Sequence, residues 1–435
     1  MTLVGANGDA DGRDIGGFMT RRFSRTSAFI CTAALLIALG STAAQAADAT
    51  PVKETGAGVM SGARALHLDA DALAVATGMS VLDARRTLDE QQQAAQALSA
   101  MQAAEPARFA GGWMETTASG VVAHARFTGD SVPSSALAES THVKKDLAVV
   151  NGPTARELAD ASDAIAKTTT EHDNVVGTGV DISSGEVVVW ASPSNTASAM
   201  LDVAPALGSA ELPAAVNEAV ATVQRDGIRV QVRAASASAG NQNRGGVNIS
   251  SCTAGFSVYY TGSGQRGLLT AGHCPNGGAY AVTPNGSLSY SKSTWSELWN
   301  QTTDMQIDVL ASHTPLNSFF GTSATTATTA TGTGTAWQGQ HLCHRGVTTG
   351  YSCGYVQSTA FAPTWSGACN NTTCASTFVQ VSGVNLSNNY GDSGGPWFIG
   401  GTAYGIHMGG TLGLGIWSVY TPIARLANFG ASLVL

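Results

Sequence analysis

From Gly246 to its end the chain is almost uncharged. Its only basic residues there are Arg266, Lys292, Arg345 and Arg425, and its only acids Glu297, Asp304, Asp308 and Asp392. The same stretch runs as short β-prone segments separated by Gly, Asn and Ser, with no helical periodicity until Pro422–Phe429. Many short strands with turn signals between them read as an all-β sandwich or barrel. The net charge of −8 therefore arises upstream, and so sharp a break suggests two separately folding pieces within the 435 residues. An acidic balance also argues against nucleic-acid binding, which needs a basic stripe.

The upstream part has its own punctuation. Arg21, Arg22 and Arg25 precede an apolar run from Ala28 to Leu39, and Ala44-Gln45-Ala46 supplies a small-x-small cleavage pattern. This is the layout of a secretory signal, too short to span a bilayer at roughly 20 residues. Residues 1–46 are read as leader and signal, with Met19 a possible start and Arg21-Arg22 a hint of twin-arginine export; no membrane anchor is expected. Residues 47–233 read as a mixed α+β region. Ser80 and Asp83 suggest a capped helix running towards Met101. Strands are expected at 120–124, 175–180, 186–190 and 228–232, with a short helix over 217–225. Residues 234–245, small, polar and free of acid, read as a linker. Residues 246–435 form the all-β piece, in which the Thr- and Ala-rich segment 321–336 is expected to be an exposed strand or flexible connector between two lobes.

Cys31 falls inside the signal. The other six cysteines, Cys252, Cys274, Cys343, Cys353, Cys369 and Cys374, all lie in the uncharged part of a chain that reads as exported. That pattern is a disulfide framework by default. Sequence does not select its connectivity, and pairing of neighbours is the simplest arrangement.

The strongest chemical signal is Gly391-Asp392-Ser393-Gly394-Gly395-Pro396. A nucleophilic serine needs a tight turn that exposes its hydroxyl and aims backbone N–H groups at an oxyanion, and flanking glycines permit it. The same string fits the nucleophile elbow of α/β-hydrolases, whose acid and histidine follow the serine. No Asp or Glu follows Asp392, which excludes that fold. Leu268-Leu269-Thr270-Ala271-Gly272-His273-Cys274 delivers a histidine from an apolar strand into a small-residue turn. If the order is histidine, acid, serine, a carboxylate between His273 and Ser393 should orient the imidazole, and Glu297, Asp304 and Asp308 are the candidates. Asp304, at the entrance of a strand-like run, is preferred, and Asp308, on the same side by two-residue periodicity, is its rival.

At these residues the chain resembles the bacterial branch of the chymotrypsin family, the streptogrisin and α-lytic protease group. Thr270–Cys274 and Gly391–Pro396 match its signatures, and Thr303–Ile307 is similar to its segment around the catalytic Asp. Cys252–Phe256 resembles the strand whose cysteine bridges to the one beside the histidine, and Cys343–Gly354 its second disulfide loop. Phe109–Trp113 and Gly179–Trp190 look like its pro-region. The resemblance implies two antiparallel six-stranded β-barrels preceded by an α+β pro-region. It implies a secreted serine endopeptidase acting on proteins or peptides, monomeric, with its own pro-region as a partner and no cofactor or metal. His273, Asp304 and Ser393 would be the triad, and the N–H groups of Gly391 and Ser393 the oxyanion hole. Gly409 and Gly410 would pair with substrate backbone.

Three departures stand out. Met408 occupies a position where the family usually has a serine that seats the catalytic Asp. The family's third disulfide has no cysteine at 386–390, so Cys369 and Cys374 are expected to bridge locally. Val347 replaces an internal arginine that would partner Asp392, leaving Arg345 or backbone amides to satisfy that carboxylate. For specificity, Ser387 suggests a neutral pocket base and large apolar residues on the acyl side of the cut. His407 raises the alternative of a glutamyl endopeptidase. A catalytically dead binding homologue is the other alternative, and an intact triad speaks against it. His341, Cys343 and His344 lack a matching ligand pair at zinc spacing, so disulfide chemistry is preferred at Cys343.

Overall fold

The computed structural model describes residues 59–138, 142–169, 175–191, 212–234, 247–284, 286–411, 413–414 and 417–435. The expected signal, Cys31 and nearly all of the expected linker lie outside these residues. Six strands close on themselves into a barrel: His341–Gly346, Gly350–Pro363, Phe378–Ser382, Trp417–Pro422, Thr402–Gly410 and Pro396–Ile399, the last pairing back onto the first. The other lobe is a curled half-barrel rather than a second closed ring. Its eight strands run from Ala431–Leu433 through Ser257–Tyr260, Arg266–Thr270, Thr303–Leu310, Tyr290–Asn300, Gly278–Tyr280 and Asn248–Ile249 to Cys252–Thr253. The end strands of this path are two or three residues long and do not pair with each other. With so few ladder hydrogen bonds at its margins, the sheet stays open. One apolar core runs through both lobes, from Phe256, Tyr280, Met305 and Ile307 to Trp397, Phe398, Ile406 and Tyr420.

The Thr- and Ala-rich segment takes the strand alternative of its sequence reading, ordered by strand pairing. Ala327–Thr329 joins Ser318–Phe319, and Gly332–Thr333 pairs with Thr402 and Ala403. Alternating Thr and Ala satisfy a pleated surface as well as they would a loop, so composition cannot separate the two. The end of the chain forms a 3-10 helix over Ile423–Phe429.

Upstream, helices Gly62–Thr77 and Val81–Ala104 are separated by Gly78 at φ 74°, the left-handed C-cap that lets the chain reverse. Ser80 caps the second through the Asp83 N–H, 3.1 Å away. A further helix, Ala214–Arg225, feeds the strand Arg229–Ala234. Among the described residues no single helix is long and apolar enough to cross a membrane.

These upstream elements and the barrel form one compact unit. Strand Val175–Asp181 pairs with Phe361–Pro363, so three upstream strands extend the barrel sheet. Such an extension satisfies backbone groups that an edge strand would leave open. A second anchor is Asp69, wholly buried on the first helix. Its carboxylate accepts from the Gly400 N–H at 2.6 Å, the Tyr351 hydroxyl at 2.7 Å and the Thr322 hydroxyl at 2.9 Å.

Burial pushes the Asp69 carboxyl up to about 6, the three hydrogen bonds offsetting only part of that desolvation. A group raised on folding contributes stability that is complete below its unfolded value and is lost as pH rises through the folded one. Relative to Asp69→Asn, wild-type stability should therefore fall by up to about 3 kcal/mol between pH 4 and pH 7. Urea unfolding of both proteins across that range measures it. A difference that does not vary with pH would contradict this reading of Asp69.

Candidate active site

Strand Arg266–Thr270 ends in a turn that places His273 against the hairpin Tyr290–Asn300 and Thr303–Leu310. Gly272 is required there. A Cβ at this position would lie 2.9 Å from the Leu298 carbonyl oxygen and 3.0 Å from the Met305 nitrogen. Asp304, buried at the start of its strand, takes two bonds from the histidine. The His273 backbone N–H donates to Oδ1 at 2.8 Å, and Nδ1–H donates to Oδ2 at 2.7 Å. The far ring nitrogen, Nε2, is 2.8 Å from Ser393 Oγ and is left to accept its proton.

Two effects set the basicity of His273. Burial, the largest, lowers its pKa, while the charge and hydrogen bond of Asp304 raise it, and the balance lies above the ordinary histidine value. Asp308, the other candidate acid, has different partners. It is bonded to Lys292 Nζ at 2.7 Å and to the Thr294 hydroxyl at 2.7 Å.

The turn around Ser393 is clamped from both lobes. Gly394 N–H donates to the His407 carbonyl at 2.8 Å, and His407 N–H returns a bond to the Gly395 carbonyl at 2.8 Å. From the half-barrel, Thr253 N–H donates to the Ser393 carbonyl at 2.6 Å, and its hydroxyl bonds to the carbonyls of Gly391 and Asp392. Thr253 adjoins Cys252, which is bonded to Cys274 beside His273. One disulfide thus ties together the segments that hold the serine and the histidine. Gly391 adopts φ 103° and Gly394 φ 86°, conformations open to glycine. Among the described residues, the N–H groups of Gly391 and Ser393 make no hydrogen bond and stay available to an oxyanion. Strand Thr402–Gly410 meets its partner Pro396–Ile399 as far as Ile406, and His407 still bonds to Gly394 and Gly395; beyond it, where Gly409 and Gly410 lie, no strand pairs with that edge among the described residues.

Residues 231–429 match the protein-family description Trypsin. That stretch is similar to trypsin-family domains. Streptogrisin-C of Streptomyces griseus is 30% identical over 260 residues, 59% of this chain and 51% of that protein, so the chain spans about half the length of this curated relative. Among solved structures, Thermobifida fusca protease A is 28% identical, with a TM-score of 0.36 over 46% of this chain and 99% of its own. Nocardiopsis protease is 24% identical, with a TM-score of 0.37 over 45% of this chain and 98% of its own.

Within this matched stretch, Asp392 is satisfied by Thr349 and backbone amides, with Arg345 turned elsewhere. Its oxygens accept from the N–H groups of Thr348, Thr349 and Asn389 and from the Thr349 hydroxyl at 2.7 Å. Burial still raises its pKa, against the pull of these bonds. Arg345 turns instead to the carbonyls of Gly321 and Thr322. Met408 packs with Phe361, Trp417 and Val419. Cys343 bonds to Cys353 and Cys369 to Cys374. The sulfurs that lie within 4.8 Å of a ring nitrogen of His341 are therefore joined to each other.

The two specificity candidates differ in burial. Ser387 is half-buried, and its carbonyl accepts from His344 Nε2 at 2.8 Å. His407 is wholly buried. Its Nδ1 accepts from the Trp397 indole N–H at 3.3 Å, which obliges Nε2 to donate to Asn388 Oδ1 at 2.8 Å. Burial and the neighbouring rings of His344 and His273 push its pKa well below the usual value. Asn388 and Thr349 were not identified from sequence. Thr349 lies inside the Cys343–Gly354 loop, whereas nothing local distinguishes Asn388.

Proposed function

We propose that this protein is a secreted serine endopeptidase made as a precursor. The observation that carries the reading is the continuous relay from Ser393 Oγ through both ring nitrogens of His273 to Asp304, beside two unengaged amides. Ser393 Oγ attacks the scissile carbonyl as Nε2 takes its proton. The N–H groups of Gly391 and Ser393 receive the oxyanion, and Asp304 stabilises the imidazolium. His273 then protonates the leaving amine as the C–N bond breaks, leaving an acyl-serine. Water, deprotonated by the same nitrogen, attacks the ester, and collapse of the second intermediate returns the proton to Ser393.

Residues 47–233 act as the pro-region, cleavage falls within 234–245, and the signal in 1–46 directs export of a monomeric product. The strand added to the barrel by Val175–Asp181 and the buried Asp69 anchor support assistance by the upstream segment in folding the domain. Large neutral side chains are preferred on the acyl side of the cut. Both His407 nitrogens are engaged and its basicity is depressed, which supports this preference over glutamate.

The test is to digest casein with the secreted protein and map the peptides, alongside labelling with phenylmethylsulfonyl fluoride. Cuts after large neutral residues are expected, with the sulfonyl group on Ser393 by mass spectrometry. Cuts confined to glutamate would overturn the specificity, and absence of both cleavage and labelling would overturn the enzyme reading.

A further inference from the structure

We propose that Lys292 and Asp308, with Thr294, are positioning residues that hold the His273 loop in its reactive geometry, an inference that rests on the endopeptidase reading. Lys292 and Asp308 form an ion pair at 2.7 Å with both side chains wholly buried. Desolvating two charges offsets most or all of their attraction, so such a pair is weak evidence for stability and prompts a search for another role.

The remaining contacts of the pair supply one. Lys292 Nζ also donates to the Pro275 carbonyl at 2.9 Å, two residues beyond His273. Gln306 Nε2 reaches the same carbonyl at 3.4 Å and Asp308 Oδ1 at 3.1 Å. Thr294 donates to Asp308 and accepts from the Gly277 N–H at 3.2 Å. The loop is thus gripped at His273 by Asp304, at Cys274 by its disulfide, at Pro275 by Lys292 and at Gly277 by Thr294. All but the disulfide come from the one hairpin that carries Asp304. Histidine, its carboxylate and the loop between them therefore share a single frame. Asp308, the rival acid, acts on the same histidine at one remove, by fixing the lysine that fixes its loop.

Proximity effects make the loop's placement measurable, since a shift of about 1 Å at a reacting group lowers rate by about a hundredfold. The double variant K292M/D308L replaces the pair with apolar side chains of similar size and removes the buried charges together. It should melt within a few degrees of wild type, yet lose kcat by roughly ten- to a hundredfold with KM changed less than about twofold. The low-field proton resonance of the His273–Asp304 hydrogen bond should also move, a change that loss of packing alone would not cause. Thr294→Val keeps the side-chain shape and no charge is lost. It should lower kcat about threefold through Gly277 and Asp308, and it decides the matter if the double variant does not fold.

The measurement is kcat and KM on a chromogenic peptide, with thermal melting, for the secreted wild type and both variants. A double variant with kcat within twofold of wild type overturns the inference, as does an unchanged Thr294→Val where the double variant fails to fold. Wild type that cleaves no peptide defeats the endopeptidase reading, and the inference with it. Active wild type beside an unaffected variant defeats the inference alone.

Discussion

Ser393→Ala is expected to lower kcat for peptide hydrolysis by about a millionfold, equivalent to about 8 kcal/mol of barrier. The hydroxyl that His273 Nε2 accepts from at 2.8 Å is lost, so neither an acyl-serine nor a relayed proton is possible. The amides of Gly391 and Ser393 remain, and residual catalysis by direct attack of water should persist at about 10³–10⁴ over the uncatalysed rate. Folding should be nearly unaffected, because one buried oxygen is removed from a turn held by its backbone. Single-turnover assays on the secreted protein, with thermal melting as the control, measure both. The precursor should also cease to process itself, so residues 47–435 are expected to be recovered as one chain. Full cleavage by the alanine variant would exclude Ser393 as the nucleophile.

Asp304→Asn should lower kcat about ten-thousandfold near neutral pH with little change in KM. The geometry states why. Asp304 Oδ1 accepts the His273 backbone N–H, and the asparagine oxygen can keep that bond. Its amide nitrogen then faces His273 Nδ1, which must accept where it formerly donated. The proton is driven to Nε2, the nitrogen that should receive it from Ser393, and the base is blocked. Asp308→Asn leaves this tautomer intact and should have a far smaller effect. Comparing kcat of the two variants therefore separates the two acids, and equal losses would refute the assignment of Asp304.

In sequence those two carboxylates differ little, although Asp304 is preferred. They lie four residues apart on one strand, on the same side, and both are buried. Only their partners differ, and the partners come from elsewhere: His273 from a preceding turn, Lys292 and Thr294 from the adjacent strand. The same applies to His407. In sequence His407 offers a substrate contact as one reading, whereas Trp397 and Asn388, brought in by neighbouring elements, occupy both of its nitrogens.

What the sequence determined by itself was local. Small residues on either side of Ser393 and before His273 dictate turns that few other residues allow, because the constraint is on each residue's own φ and on a Cβ that has no room. The cap at Ser80 and the left-handed Gly78 are likewise decided within a few residues. Tertiary structure decided what depends on two distant segments meeting. It chose which cysteines joined, which carboxylate met His273, and that Asp392 would rest on Thr349 rather than Arg345. It closed one barrel and left the other sheet open, and it laid upstream strands along the barrel edge. A turn is written in the torsions of its own residues, but a buried charge or an unpaired strand edge is satisfied by whichever partner the packed chain delivers, and that choice has no local signature.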